Sequence, residues 1–257
     1  MIGRVAISTR NLVKRYGRVR ALDGFSLDVP AGAILGLVGA NGAGKTTWMM
    51  AVAGYLRVES GTVSLFGGGP FDASVHSGRV SILPQDSELP LEMTPEALYV
   101  AFARLQGLDA RAARRAAAET LAAVNLTAHA KKPVRALSHG MRKRVMSGQC
   151  FLGDPEILLL DEPMNGLDPE EADRLRRLIL SGKGRRTTVV SSHNLLDLER
   201  ICTHVAFVAS GRVTRVGTVE ELTADGRSLE ECYLSGLPGR WPCPPLFGQD
   251  EEQDEVR

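Results

Sequence analysis

The chain has 257 residues, of which 44% are apolar and 24% charged, and a formal net charge of +1. This balance excludes a disordered or fibrous chain, and a charge so near zero excludes a strong overall field for nucleic acid or anionic lipid, leaving only local patches. The length suits one large α/β domain carrying a small inserted subdomain and is too short for two full-size domains.

From the N-terminus, MIGRVAISTR has no apolar stretch resembling a signal peptide. Residues 4–13, 25–29 and 61–66 are short segments with β-branched or aromatic residues bounded by Gly, Pro and Asp, which predicts antiparallel strands. Ala33-Ile34-Leu35-Gly36-Leu37-Val38 differs: a nearly continuous apolar run ending in a glycine-rich turn is the pattern of a strand buried on both faces of a parallel sheet. Residues 80–83, 157–160 and 187–191 repeat it. From Thr94 to Asn125 the composition shifts to alanine, leucine and arginine, with Thr94 as N-cap, Pro95 at the first helical position and Gly107 as a stop. In the first of these helices Leu98, Ala101, Phe102 and Leu105 recur at helical spacing and are expected to bury one face. Arg111, Arg114 and Arg115, and later Arg142, Lys143 and Arg144, are expected to form solvated faces. Residues 235–257 are rich in proline and glycine and then acidic, which predicts a loose tail. The apolar runs fall short of the roughly 18 residues of a membrane span. Cys150, Cys202, Cys232 and Cys243 form no CxxC pair, which fits a reducing cytoplasm and no zinc site.

The strongest chemical signal is Gly39-Ala40-Asn41-Gly42-Ala43-Gly44-Lys45-Thr46, a full G-x-x-x-x-G-K-[ST] pattern between a predicted buried strand and the helix-compatible Thr47-Trp48-Met49-Met50. Its glycines let backbone N–H groups converge on phosphate oxygens, and the following helix adds the positive end of its dipole. Lys45 supplies a point charge for the β- and γ-phosphates, and the Thr46 hydroxyl is a hard oxygen ligand for Mg2+. A second strand, Ile157 to Leu160, ends in Asp161 and Glu162. The first acid suits the metal, and the second can orient and polarise an attacking water as general base.

Five further features resemble the nucleotide-binding domains of ABC transporters, in that family's order. Leu137-Ser138-His139-Gly140-Met141 resembles the LSGGQ signature, with Ser138 placed to cap the helix that follows. Gln85 resembles the Q-loop glutamine and His193 the switch histidine; Asn165-Gly166-Leu167-Asp168 resembles the D-loop, and Tyr16 the aromatic ring under adenine. Such stacking is worth roughly 1 to 3 kcal/mol per base.

The resemblance, over about residues 4–234, implies a P-loop NTPase core of α/β class. Its sheet is mostly parallel, with an N-terminal antiparallel β-subdomain and an inserted α-helical subdomain. Residues 1–234 would be the ATP-binding domain and about 88–150 the insertion. It implies ATP hydrolysis with Mg2+ held by Thr46, Gln85 and Asp161, and catalysis by Glu162, His193 and Gln85. Nucleotide would be bound by Tyr16, the run Gly39 to Thr47, and Ser138, Gly140 and Asp168, the last group reaching the site of a second subunit. The implied partners are that second ATP-binding subunit, identical or a relative, and a transmembrane permease, which would place the chain in the cytoplasm at the inner face of the cell membrane. Membrane contact would run only through the permease. Two signature positions depart from the family pattern, His139 and Met141, as does Met164 where a small hydroxyl residue is usual. Export-type members with LSxGM patterns resemble the chain most closely. The alternative is an ATPase of the same family acting on nucleic acid or ribosomes; the chain lacks the long coiled coils, zinc modules and second cassette of such relatives. A small-metabolite kinase would share the phosphate loop but leave the signature unexplained. The segment Glu88 to Leu105, with Leu89, Leu91 and Met93, is the expected docking surface for the permease.

Overall fold

The computed structural model describes residues 4–235. Two long strands, β1 (Val5–Tyr16) and β2 (Val19–Pro30), pair antiparallel, and β4 (Ser60–Leu65) adds to the other edge of β1, giving the order β2-β1-β4. The first two extend past their predicted bounds, because the Arg- and Lys-rich hairpin end is exposed and carries little apolar alternation.

The buried-strand pattern is borne out at three of the four predicted segments; residues 80–83 form a strand at the sheet edge that is fully buried only at Leu83. β3 (Ile34–Val38), β6 (Ile157–Asp161) and β7 (Thr187–Ser192) are buried at every position. With β5 (Val80–Leu83), β8 (His204–Ala209) and β9 (Arg212–Thr218) they form a second sheet in the order β5-β6-β7-β3-β8-β9. All pairs are parallel except β8 with β9. Alternation divides the core: Leu35, Leu37, Ile157, Leu159 and Val189 face one apolar cluster, and Ile34, Val38, Leu158, Leu160 and Val190 face another.

The first cluster lies between the two sheets and contains α1 (Lys45–Val52). There the Trp48 ring stacks on Phe25 with centroids 5.8 Å apart, and its indole N–H donates to Thr9 Oγ1 at 3.1 Å. The same fully buried hydroxyl donates to Leu27 O and accepts from Leu27 N, fastening the helix after the phosphate loop to the β1-β2 pair. Thr9→Val keeps the shape and deletes these bonds, leaving a buried indole N–H unpaired. It is expected to cost about 1–3 kcal/mol of stability, measured by chemical denaturation.

On the opposite face pack α6 (Pro169–Leu180), α7 (Leu195–Ile201), α8 (Val219–Leu222) and α9 (Leu229–Ser235), while the short α2 (Ala73–His76) sets His76 against Phe66 and Phe71 beside the first cluster. Apart from Ser235, which closes α9, the expected tail lies outside the described residues.

A third cluster joins α3 (Pro95–Leu105), α4 (Ala110–Ala123) and α5 (His139–Gly148). Thr94 caps α3 by accepting from Ala97 N, Pro95 stands in its first turn, and the chain leaves through Gly107 at φ 93°. The buried face of α3 is Leu98, Tyr99 and Ala103; Leu105 is 79% exposed, so its place on the buried face is corrected. The Tyr99 hydroxyl donates to Val145 O at 2.8 Å, pulling the buried stripe one residue round the helix from the aliphatic spacing.

Arg111, Arg114 and Arg115 are exposed as expected, but the later basic run is not a free solvated face. Arg142 donates to Leu137 O and Arg135 O, Lys143 to Asn165 O and Gly166 O, and Arg144 to Val124 O and Asn125 O while pairing with Glu171. Free backbone carbonyls at nearby loops and helix ends recruit these cations.

Candidate nucleotide site

Because β3, β5, β6 and β7 run parallel, their C-terminal ends share one edge, where open α/β sheets place ligands. The phosphate loop joins β3 to α1. A Cβ on Gly39 would lie 2.4 Å from Val208 O, and one on Gly44, at φ 108°, would lie 2.4 Å from Ala21 O. Only glycine lets the loop pass this close to β8 and β2. No side chain caps α1, so its first backbone N–H groups are free to bind an anion. Lys45 is buried, and its Nζ donates to Gly39 O at 2.6 Å and Ala40 O at 3.2 Å.

Facing the loop, Thr46 Oγ1 donates to Asp161 Oδ2 at 2.5 Å. Glu162 follows with a left-handed backbone at φ 49°. Its side chain is buried, with 7% exposure, Oε2 lies 2.9 Å from His193 Nδ1, and Oε1 lies 3.9 Å from Lys45 Nζ with no hydrogen-bond partner. A cavity of about 400 Å³ is lined by Tyr16, the loop residues Asn41 to Thr47, Gln85, Asp161 and Glu162. Tyr16 is 54% exposed, and Lys14 Nζ sits 5.5 Å from its ring centroid. The cavity joins an exposed aromatic ring, a glycine loop with a cation at its base, and two acids beside a histidine. Among the described residues no group of three or more His, Cys, Asp and Glu side chains could form an all-protein metal cage. A hydroxyl and a carboxylate in contact instead fit an ion such as Mg2+ that takes most of its ligands from phosphate and water.

The structure thus brings together Tyr16, most of the loop, Gln85, Asp161, Glu162 and His193. It does not bring Ser138, Gly140 or Asp168 to that cavity. Ser138 Oγ accepts from Met141 N and Asp168 Oδ1 from Glu171 N, each capping a helix. Met141 packs onto the helical cluster and Met164 onto the core beneath β6, which accounts for apolar side chains at both positions. Two participants escaped the sequence reading. Ser191 Oγ donates to Asp161 Oδ1 and accepts from Glu162 N, and Lys143 ties the start of α5 to the Asn165-Gly166 loop. A serine in an apolar strand carries no motif, and a lysine in a basic run reads as surface.

The family described as ABC transporter matches residues 22–165, more than half of the chain. The Nod factor export ATP-binding protein I of Ralstonia nicotianae is 36% identical over 97% of this chain and 79% of that protein. The daunorubicin resistance ATP-binding protein DrrA3 of Streptomyces coeruleorubidus is 35% identical over 86% of this chain and 70% of its own length. A solved structure of an ATP binding subunit of an ABC transporter superimposes with a TM-score of 0.80 at 26% identity, covering 90% of this chain and 99% of that one. A glycine-rich loop facing two acids, set in a fold and a sequence that these proteins share over most of their length, makes the chain a member of the ABC transporter family, as an ATP-binding and ATP-hydrolysing subunit.

Proposed function

We propose that this subunit powers export through a separate transmembrane permease, working in the cytoplasm at the inner face of the membrane with a second copy or a paired relative. The observation that carries this reading is the single cavity where the phosphate loop meets Asp161, Glu162 and Gln85, with His193 bonded to Glu162. Export is favoured by the relatives named for Nod factor export and daunorubicin resistance. No described helix is long and apolar enough to cross a membrane, so a separate permease would supply the path.

In this reading residues 1–234 act as the ATP-binding unit, with about 88–150 as its inserted helical part. Tyr16 stacks on adenine, and the amides of Gly39 to Thr47 with Lys45 grip the phosphates. Thr46, Asp161 and Gln85 would hold Mg2+, which when bound supplies positive charge against the charge developing on the phosphoryl group. Glu162 orients the attacking water and accepts its proton, and His193 holds Glu162 in line. Ser138, Gly140 and Asp168 complete the site of the opposite copy. Gly140 supports this: the nearest atom to a Cβ built there is Glu171 Oε1 at 3.8 Å, so this chain leaves room that a partner's phosphate can use. Binding of ATP across the pair then favours one access state of the permease, and hydrolysis releases it.

For the permease contact, Leu89 and Met93 pack inward onto the helical cluster, which leaves only Leu91 of the expected trio exposed. A groove of about 500 Å³ beside β5 is the better surface, with Phe71, Ile82 and Phe102 in its wall and Tyr55 and Leu105 exposed at its rim. The test is to purify the chain with the polytopic membrane protein that binds it, reconstitute both in vesicles, and follow phosphate release. Release needing no phosphoryl acceptor, and accelerated by the membrane partner, is the expected result. Stimulation by nucleic acid instead, or appearance of a phosphorylated metabolite, would overturn the proposal.

A further inference from the structure

We infer that Ser191 is a positioning residue for hydrolysis, holding the metal-side acid and the base in one fixed relation. It lies on β7 opposite Asp161 in the parallel register and is fully buried. Its hydroxyl acts as both donor and acceptor, toward two successive residues at the end of β6. It donates to Asp161 Oδ1 at 2.5 Å and accepts from Glu162 N at 2.9 Å.

Each bond has a separate consequence. Asp161 is held at both carboxylate oxygens, by Ser191 on Oδ1 and by Thr46 on Oδ2. The two hydroxyls differ in kind. Thr46 lines the nucleotide cavity and can turn to a ligand, whereas Ser191 does not line it and keeps its bond whatever enters. The second bond anchors the backbone where the chain leaves β6. Glu162 stands there in the left-handed region, at φ 49°, which a residue with a side chain adopts only when its surroundings impose it. In that conformation the Glu162 carboxylate lies between Lys45 and His193. With the hydroxyl gone, the Glu162 N–H loses its partner, Asp161 is free to rotate whenever Thr46 lets go, and the left-handed turn relaxes. Ser191 touches neither the cavity nor any reacting atom, so its effect passes wholly through the two acids.

This inference rests on Glu162 being the base. The experiment compares Ser191→Ala, Ser191→Thr and Glu162→Gln in phosphate release, in ATP affinity by calorimetry, and in hydrogen exchange of the Glu162 amide by NMR. Ser191→Ala is expected to lower kcat about 10- to 100-fold with ATP affinity within about 2-fold, and to speed exchange at the Glu162 amide at least about 10-fold. Ser191→Thr restores the hydroxyl on a strand that favours β-branched residues, and is expected to bring kcat back to within about 3-fold of the unaltered protein together with amide protection. Turnover of Ser191→Ala within about 2-fold of normal would overturn the inference. So would a Thr variant as slow as the Ala variant, or a loss of ATP affinity parallel to the loss of kcat. Normal turnover in Glu162→Gln would instead remove the base, and the amide exchange would then report on the Ser191 bond by itself.

Discussion

Replacing Glu162 by glutamine is expected to lower steady-state ATP turnover by about 10²- to 10⁴-fold, the range of a positioned general base, while ATP still binds. The substitution is nearly isosteric, so the left-handed backbone and its bond from Glu162 N to Ser191 remain. What changes is the ability to take a proton. The carboxylate has Oε2 on His193 and Oε1 buried without a hydrogen-bond partner, facing the Lys45 side of the cavity. A buried acceptor with an unused lone pair is where a water can be gripped, and an amide there presents an N–H or a far weaker base. Because binding survives and hydrolysis does not, the variant is also expected to accumulate as an ATP-bound dimer, seen as a shift in size-exclusion chromatography that ADP does not cause. Turnover at the normal rate would remove Glu162 from the mechanism.

Lys45→Ala is expected to act one step earlier. Lys45 Nζ is held inside the loop by Gly39 O and Ala40 O, with exposure of only 6%, and the nearest acid is Glu162. These carbonyls hold the ammonium in the wall of the cavity before any phosphate arrives. A charged hydrogen bond is worth about 1.5–3 kcal/mol, so losing it is expected to weaken ATP binding about 10- to 100-fold, measured by titration calorimetry. Deletion of the cation also removes the positive charge that stands 3.9 Å from the buried Glu162 carboxylate. Hydrolysis is therefore expected to fall further than affinity. Unchanged ATP affinity would count against the phosphate cradle itself.

Much of the architecture was legible because its signals are local. The run Ala33 to Val38 reads as a strand buried on both faces, and β3 is buried at all positions. Thr94-Pro95 reads as a helix start, and Thr94 does accept from Ala97 N. Other local signals were present and unused: Asp168-Pro169-Glu170-Glu171 opens α6 with a capping aspartate, a first-turn proline and two acids, the same logic that located α3. The strands β8 and β9 were passed over although Val205 to Val208 is fully buried apolar sequence, because no motif sits at their ends. Leu105 was misplaced because helical spacing fits two adjacent stripes, and the Tyr99 hydroxyl bond to Val145 O decides between them.

The sequence by itself determined the glycine-rich turn between β3 and α1 and the two acids at the end of β6. At Gly39 and Gly44 no side chain fits, so that turn can adopt few shapes, and an apolar strand ending in two acids delivers them to a sheet edge. Tertiary structure alone decided what those groups touch: Thr46 on Asp161, Ser191 between Asp161 and Glu162, His193 on Glu162, and Lys143 on the Asn165-Gly166 carbonyls. Each of these contacts joins segments far apart along the chain. They depend on strand order and register, which arise when β6 and β7 pair across the whole sheet and leave no trace in the spacing of residues within either strand.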